Sequence, residues 1–312
     1  MVKRSDSRPE GDLPGFRQHY PFESRFLSIP CKDRELRMHY IDEGKGEPVV
    51  FLHGNPTWSF HFRKLILGLK EDFRCIAPDH AGCGFSEKPE GLRLCLQERS
   101  EMVGALLDAL AIRRCHLVMH DWGGAIGMTY ATAHPDRVAS VSLCNTAAFP
   151  SQWISWRINL CRMPLVGRFI NYHLNGFLRA AMHMTTVRPL APEVKAAYLY
   201  PHRRLQDRES IDAFVKDIPF HPSHPSYPVI CKTDEGLRQF RDDQVLLLWG
   251  MRDFCFSPYF LEQWLERFPV AFRLTFEDAG HFLFEEKAQD CVPALRKHFE
   301  LHQFSSKAGK PA

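Results

Sequence analysis

A chain of 312 residues, 45% hydrophobic, 25% charged and 12% aromatic, is long enough for one large α/β domain or two smaller ones and too apolar to be disordered. Its charges nearly cancel, Lys+Arg 40 against Asp+Glu 37 for a net +3, which argues against nucleic acid as a partner. No run approaches the roughly 20 apolar residues of a membrane-spanning helix, and the basic start MVKRSDSRPEGDLPG leads into no apolar signal region, so a cytoplasmic protein is expected.

The polar stretches 1–19 and 303–312, rich in Lys, Ser, Gly and Pro, are expected to be flexible ends. Between them, short apolar runs ending in Gly, Asp, Asn or His alternate with longer amphipathic segments, the pattern of βαβ units and a mostly parallel sheet. Strands are predicted over 37–42, 48–53, 74–78, 116–120, 139–145, 245–250 and 273–277, with helices following most of them. From 149 to 227 the alternation stops. That interval holds only helix-like, Pro-punctuated segments carrying Trp153, Trp156, Phe177, Tyr198 and Phe214, and is predicted to be a helical insertion over the ligand end of the sheet. Its aromatics either line a pocket or pack the insertion. The organisation expected is a core of 20–148 and 228–302 with a cap of 149–227.

Cofactor and metal signatures are missing from the sequence. Gly82-Cys83-Gly84-Phe85-Ser86-Glu87 lacks the third glycine of a dinucleotide fingerprint, and no Gly-Lys-Ser/Thr phosphate loop occurs. The ten cysteines are scattered without a Cys-x-x-Cys pair, as small buried thiols in a reducing compartment would be. Among sixteen histidines there is no His-Glu-x-x-His, and His221 and His224 sit in a Pro- and Ser-rich loop. Neither a cofactor nor a metal is expected.

In chain order, the first passage that carries chemistry is Val49-Val50-Phe51-Leu52-His53-Gly54-Asn55-Pro56, a strand entering a turn of the kind that supplies a backbone N–H to an oxyanion hole. Asp79-His80 precedes the Gly-Cys-Gly turn and is expected to shape that loop. Next, His116-Leu117-Val118-Met119-His120-Asp121-Trp122-Gly123-Gly124 runs from an apolar strand through a functional side chain into a small-residue helix, the outline of a nucleophile elbow. Gly123 meets the demand for a small residue after the nucleophile; Met119, two before it, does not. The nucleophile position holds Asp121, which can displace a leaving group from a tetrahedral carbon and form an alkyl ester. Asp also caps helices, so the other pieces matter. Trp122 would offer the second oxyanion N–H. His120, one step back on the strand, should turn to the opposite side from Asp121. Asp253, after the run Leu246-Leu247-Leu248-Trp249-Gly250, and His281, in Asp278-Ala279-Gly280-His281, complete the order nucleophile, acid, histidine.

These motifs, with His53-Gly54-Asn55-Pro56-Thr57-Trp58 and Asp79-His80-Ala81-Gly82-Cys83-Gly84-Phe85-Ser86, resemble those of the haloalkane dehalogenases of the α/β-hydrolase superfamily over about residues 20–300. The resemblance is to the branch whose triad acid, here Asp253, follows the seventh strand; Asn145 stands where another branch has Glu. The β-lactone decarboxylases of long-chain hydrocarbon biosynthesis belong to the same branch, and Asn145-Thr146-Ala147-Ala148-Phe149-Pro150 and Trp249-Gly250-Met251-Arg252-Asp253-Phe254 resemble them too.

What the resemblance implies is an α/β-hydrolase fold with a helical cap inserted after the sixth strand. It also implies a pair of N–H donors for a departing halide, from the Asn55 side chain and the Trp122 indole. The leading expectation is a cofactor-free dehalogenase in which Asp121 attacks carbon and His281, oriented by Asp253, activates water against the ester. The same donors suit the carboxylate released when a β-lactone opens, and an epoxide hydrolase would use the same triad with a lid tyrosine, for which Tyr172, Tyr198 and Tyr200 are available. The substrate expected is small and apolar. Because the related branch self-associates, a homo-oligomer is also expected, with the basic and aromatic segment 198–204 as its suggestive surface.

Overall fold

The computed structural model describes residues 17–304, so the chain ends expected to be flexible lie largely outside the described residues. Eight strands form one sheet in the order β1-β2-β4-β3-β5-β6-β7-β8: β1 Arg25–Cys31, β2 Arg34–Glu43, β3 Pro48–Leu52, β4 Arg74–Pro78, β5 Cys115–His120, β6 Val138–Cys144, β7 Val245–Gly250 and β8 Phe272–Phe276. The pairs β1–β2 and β2–β4 are antiparallel and the others parallel. The strand β1 is absent from the sequence prediction. Its seven residues RFLSIPC contain Pro30, which lowers strand propensity but is tolerated because β1 pairs with a neighbour on one side only.

Strands β5, β6 and β7 are buried along their whole length, which explains their nearly unbroken apolar sequence. Period-two alternation divides their side chains between two cores. Val50, Leu52, Leu117, Met119, Leu247 and Trp249 face the helices Leu96–Ala109, Trp122–Ala133, Tyr227–Gly236 and Pro258–Arg267; Val49, Phe51, Val118, Leu246 and Leu248 face Arg63–Leu69 and Ala288–Leu301. Among the described residues no strand occurs between Cys144 and Val245; helices occupy Trp156–Arg162, Gly176–Met184, Pro192–Leu199, Glu209–Lys216 and Tyr227–Gly236. Within this stretch the segment 198–204 does not present the aromatic surface expected of it. Tyr198, Pro201 and His202 are buried, and only Arg203 and Arg204 are exposed.

The loop after β4 is held by Asp79, whose carboxylate accepts from His39 Nδ1 (2.8 Å), Ser59 N (2.7 Å) and Phe85 N (2.8 Å), all in the interior. His80 closes the same corner, its N–H donating to His53 Nε2 at 2.9 Å. This corner is structural, as the sequence suggests. Burial favours the neutral acid, but His39 and the Ser59 N–H override it and hold Asp79 well below the usual carboxylate range. Its contribution to stability is therefore present above the ordinary Asp pKa and lost only as pH falls through the depressed value. Replacing Asp79 by Ala leaves His39 buried without its partner and should lower the unfolding free energy by about 3–5 kcal/mol, read as a shift of the urea midpoint. Asp79→Asn, which keeps an acceptor, should lose less.

Candidate active site

The carboxyl ends of β3, β5, β7 and β8 converge on one point, and the sharpest turn there is at Asp121. Its φ of 52° and ψ of −127° are costly for a residue with a side chain, and they lift the carboxylate out of the β5 line before the helix begins at Trp122. The turn closes only because position 123 is a glycine, since a Cβ on Gly123 would lie 1.9 Å from the Leu52 carbonyl oxygen. Met119, the departure from the usual small residue, is accommodated by Gly127, where a Cβ would come within 2.4 Å of the Met119 sulfur. The bulk moves one helical turn along, and the elbow keeps its shape.

Asp121 Oδ1 accepts from the Asn55 backbone N–H at 2.7 Å, and the Trp122 N–H also bonds the carboxylate. The other oxygen, Oδ2, faces His281 Nε2 at 3.6 Å, too long for a hydrogen bond. His281 Nδ1 lies 2.7 Å from Asp253 Oδ2, and Asp253 Oδ1 accepts from Cys255 N at 2.6 Å. All three triad side chains are buried. Burial pushes the Asp121 carboxyl up to about 6, against the opposing pull of His281 and the two amides. For His281 burial acts the other way, but the charge and hydrogen bond of Asp253, aided by Asp121, prevail and raise it above the ordinary His value.

Asp121 and His281 line a cavity of about 410 Å³, within the range of small-molecule sites, with Asp253 behind His281. Its walls are apolar and include Trp153 from the loop after β6, Trp156 and Phe177 from the inserted helices and Phe256 from the loop after β7, whose ring stacks on His281 at 5.9 Å. Of the other aromatics singled out in the sequence, Phe214 packs on the Trp122 ring and Tyr198 is bonded elsewhere. Asn55 and Trp122 both line the cavity. Asn55 Nδ2 is anchored on the Ile211 carbonyl (3.2 Å), and the Trp122 indole N–H has no partner among the described residues. Tyr172, Tyr198 and Tyr200 do not line it, which removes the acid an epoxide hydrolase would need.

Several supporting residues are not legible in the sequence. His120 turns away from the cavity as alternation requires, but its Nε2 bonds the His281 carbonyl (2.8 Å) and its ring lies tilted against that of His281 at 4.6 Å. Behind it, His61 stacks on His120 at 4.4 Å and bonds the Tyr198 hydroxyl (2.9 Å), which donates to Glu285 (2.6 Å). Arg63 pairs with Glu285 by two parallel bonds. Burial alone would raise Glu285, and Arg63 outweighs it, keeping that carboxyl below the usual range. Asn145 is a clamp between strand ends, its amide exchanging bonds with Gly250 N (2.8 Å) and O (3.1 Å). The only sequence signal for this network is charged residues inside apolar stretches, and Arg63 and Glu285 are 222 positions apart.

Residues 47–288 match the model of the α/β-hydrolase fold family. The chain is 37% identical to a cis-3-alkyl-4-alkyloxetan-2-one decarboxylase of Shewanella oneidensis, over 89% of this chain and 88% of the relative. It is 31% identical to haloalkane dehalogenase 2 of Mycobacterium bovis, over 90% and 96% of the two chains. Among solved structures, the haloalkane dehalogenase DatA from Agrobacterium tumefaciens C58 superposes with a TM-score of 0.75 at 26% identity, covering 88% of this chain and 97% of that one. The strand order, the sharp turn at Asp121 and these matches agree: this chain is an enzyme of the α/β-hydrolase fold family, in the group that holds haloalkane dehalogenases and cis-3-alkyl-4-alkyloxetan-2-one decarboxylases.

Proposed function

We propose that the protein converts a cis-3,4-dialkyl oxetan-2-one into an alkene and CO₂ without a cofactor, using Asp121 as nucleophile, and that 149–227 is the cap over a core of 20–148 and 228–302. The observation that carries this reading is the pairing of a reactive Asp121 Oδ2 with an apolar cavity of about 410 Å³, room for alkyl chains that a short haloalkane does not need. Higher identity to the decarboxylase supports it and reverses the order in which the sequence motifs alone rank the two activities.

Asp121 Oδ2 attacks the alkyl-bearing ring carbon attached to the ring oxygen, and that C–O bond breaks toward oxygen. An alkyl ester on Asp121 and a free carboxylate result, the latter received by the Trp122 indole N–H and Asn55 Nδ2, donors aimed at charge that appears only as the ring opens. The carboxylate then departs as CO₂: its C–C bonding pair becomes the second bond of the alkene, and the C–O bond to Asp121 breaks, restoring the carboxylate. No water or proton is consumed. The Asn55 backbone amide holds Oδ1, and with the Trp122 amide, which also bonds this carboxylate, it serves as the oxyanion hole if water attacks the ester. Hydrolytic dehalogenation is the second reading, favoured by His281, whose Nδ1 bond to Asp253 leaves Nε2 toward Asp121 to activate that water. A cytoplasmic setting belongs to the same proposal, supported by ten free cysteines.

Incubation with a cis-3,4-dialkyl oxetan-2-one should give alkene and CO₂ in equal amounts, with none from Asp121→Ala. Halide release from bromoalkanes without alkene from the lactone would replace this reading with the second. His281→Ala given a bromoalkane should accumulate Asp121 heavier by the alkyl group, seen by mass spectrometry, because the first step needs no base. The nucleophile must be ionised, so kcat/KM for either substrate should fall as pH drops below about 6. Hydrolysis also needs neutral His281 and should lose kcat at a higher pH than decarboxylation does, since the His281 pKa is raised.

A further inference from the structure

The cap wears its apolar side outward. Ten of the sixteen large apolar side chains exposed among the described residues lie between positions 153 and 187. On the helix Trp156–Arg162 the residues Trp156 and Leu160, one turn apart, are 68% and 39% exposed, while Ile158 and Cys161 fill the inner face. A surface helix ordinarily turns polar groups to water. Leu165 goes further: it is 85% exposed at the apex of a γ-turn closed by Val166 N to Pro164 O (2.6 Å), with φ 58° and ψ −61°, a strained conformation for a leucine. Among the described residues no packing covers Leu165, and hydration does not recover that strain, so the surface is open to an occupant.

Charge identifies the occupant. From 138 to 192 the sequence has no Asp or Glu, and 151–192 carries five arginines. Of these, Arg168 alone has a carboxylate within ion-pair distance among the described residues (Asp212 3.6 Å, Glu209 3.8 Å). Arg162 lies over the Phe220 ring, and Arg179 is exposed. Exposed Trp, Leu and Phe interspersed with arginines and free of acidic residues are the chemistry of a surface that dips into the headgroup layer of a bilayer. A protein partner would offer both charge signs, whereas anionic headgroups present an unbroken negative layer. No helix among the described residues is long and apolar enough to cross a membrane, so the contact is with one leaflet.

We infer that the outward face of the cap, centred on Trp156, Leu160, Leu165, Val166 and Phe169, docks on an anionic phospholipid surface. Trp156 and Leu160 also line the cavity, so its mouth opens on the docking face and an apolar ligand passes from lipid to Asp121 without crossing water. The inference concerns the surface and holds whichever reaction Asp121 performs.

Flotation of the whole protein with vesicles of phosphatidylcholine plus phosphatidylglycerol tests it. The wild type should rise with these vesicles, less so at high salt or with phosphatidylcholine alone. The double variant Leu165→Ser/Phe169→Ser should bind about tenfold or more weakly. Arg162→Gln and Arg179→Gln should each cost about fivefold. None of these four residues lines the cavity, so turnover of a short bromoalkane or soluble lactone should be unchanged in every variant, which also reports folding. Wild type that stays below the mixed vesicles, or a Leu165/Phe169 variant that binds as well as wild type, overturns the inference. So does a lipid-free oligomer, measured by light scattering, that the double variant reduces to monomer, because the face is then an interface between copies.

Discussion

Everything at the site depends on one arrangement: a carboxylate lifted out of a buried strand on a positive-φ backbone, bonded by the backbone amides of Asn55 and Trp122, with Oδ2 standing 3.6 Å from His281 Nε2. Burial makes that carboxylate costly to ionise and therefore reactive. The amides of Asn55 and Trp122 limit the cost without removing it, leaving Asp121 raised to about 6, still ionised at neutral pH. A better-solvated aspartate would be more stable and less useful.

Such an arrangement must be rigid. Thr146 donates to the Asp121 carbonyl, Asp121 N donates to the Asn145 carbonyl (3.2 Å), and the Asn145 amide ties the end of β6 to the end of β7, from whose loop Asp253 projects. Asp121 and Asp253 thus share one frame of strand ends. The third member, His281, arrives on a loop, and its backbone is fixed from behind by His120, beyond which the His61, Tyr198, Glu285 and Arg63 contacts extend to the helix after β3. Such a buried polar chain is favourable only when its charged members are satisfied, as the paired Arg63 and Glu285 are.

The segment inserted between β6 and β7 contributes differently. It supplies Phe177 and Trp153 as apolar wall of the cavity, while Asp121, Asp253 and His281 come from the strand ends and the loops after them. The asymmetry extends outward over 153–187, where exposed apolar residues and arginines occur without an acidic residue in the sequence.

How much of this the amino-acid sequence determined depends on the range of each interaction. Strands β3, β5, β6 and β7 were legible because burial on both faces demands unbroken apolar runs, and the Asp121 turn was legible because glycine must come after a nucleophile crowded by a neighbouring strand. The order of Asp121, Asp253 and His281 along the chain was equally local information. Strand β1 was missed because Pro30 obscures a strand that tolerates it by pairing on one side only. The clamp role of Asn145, the His120 contact behind His281 and the Arg63–Glu285 pair were decided by folding alone, since each joins residues far apart in sequence whose types are unremarkable where they stand. The same holds for the cavity and the outward apolar face. Composition and period record that Trp153 and Trp156 are aromatic, but which side of a helix meets the core, and how much space remains beneath it, is set only when the layers pack.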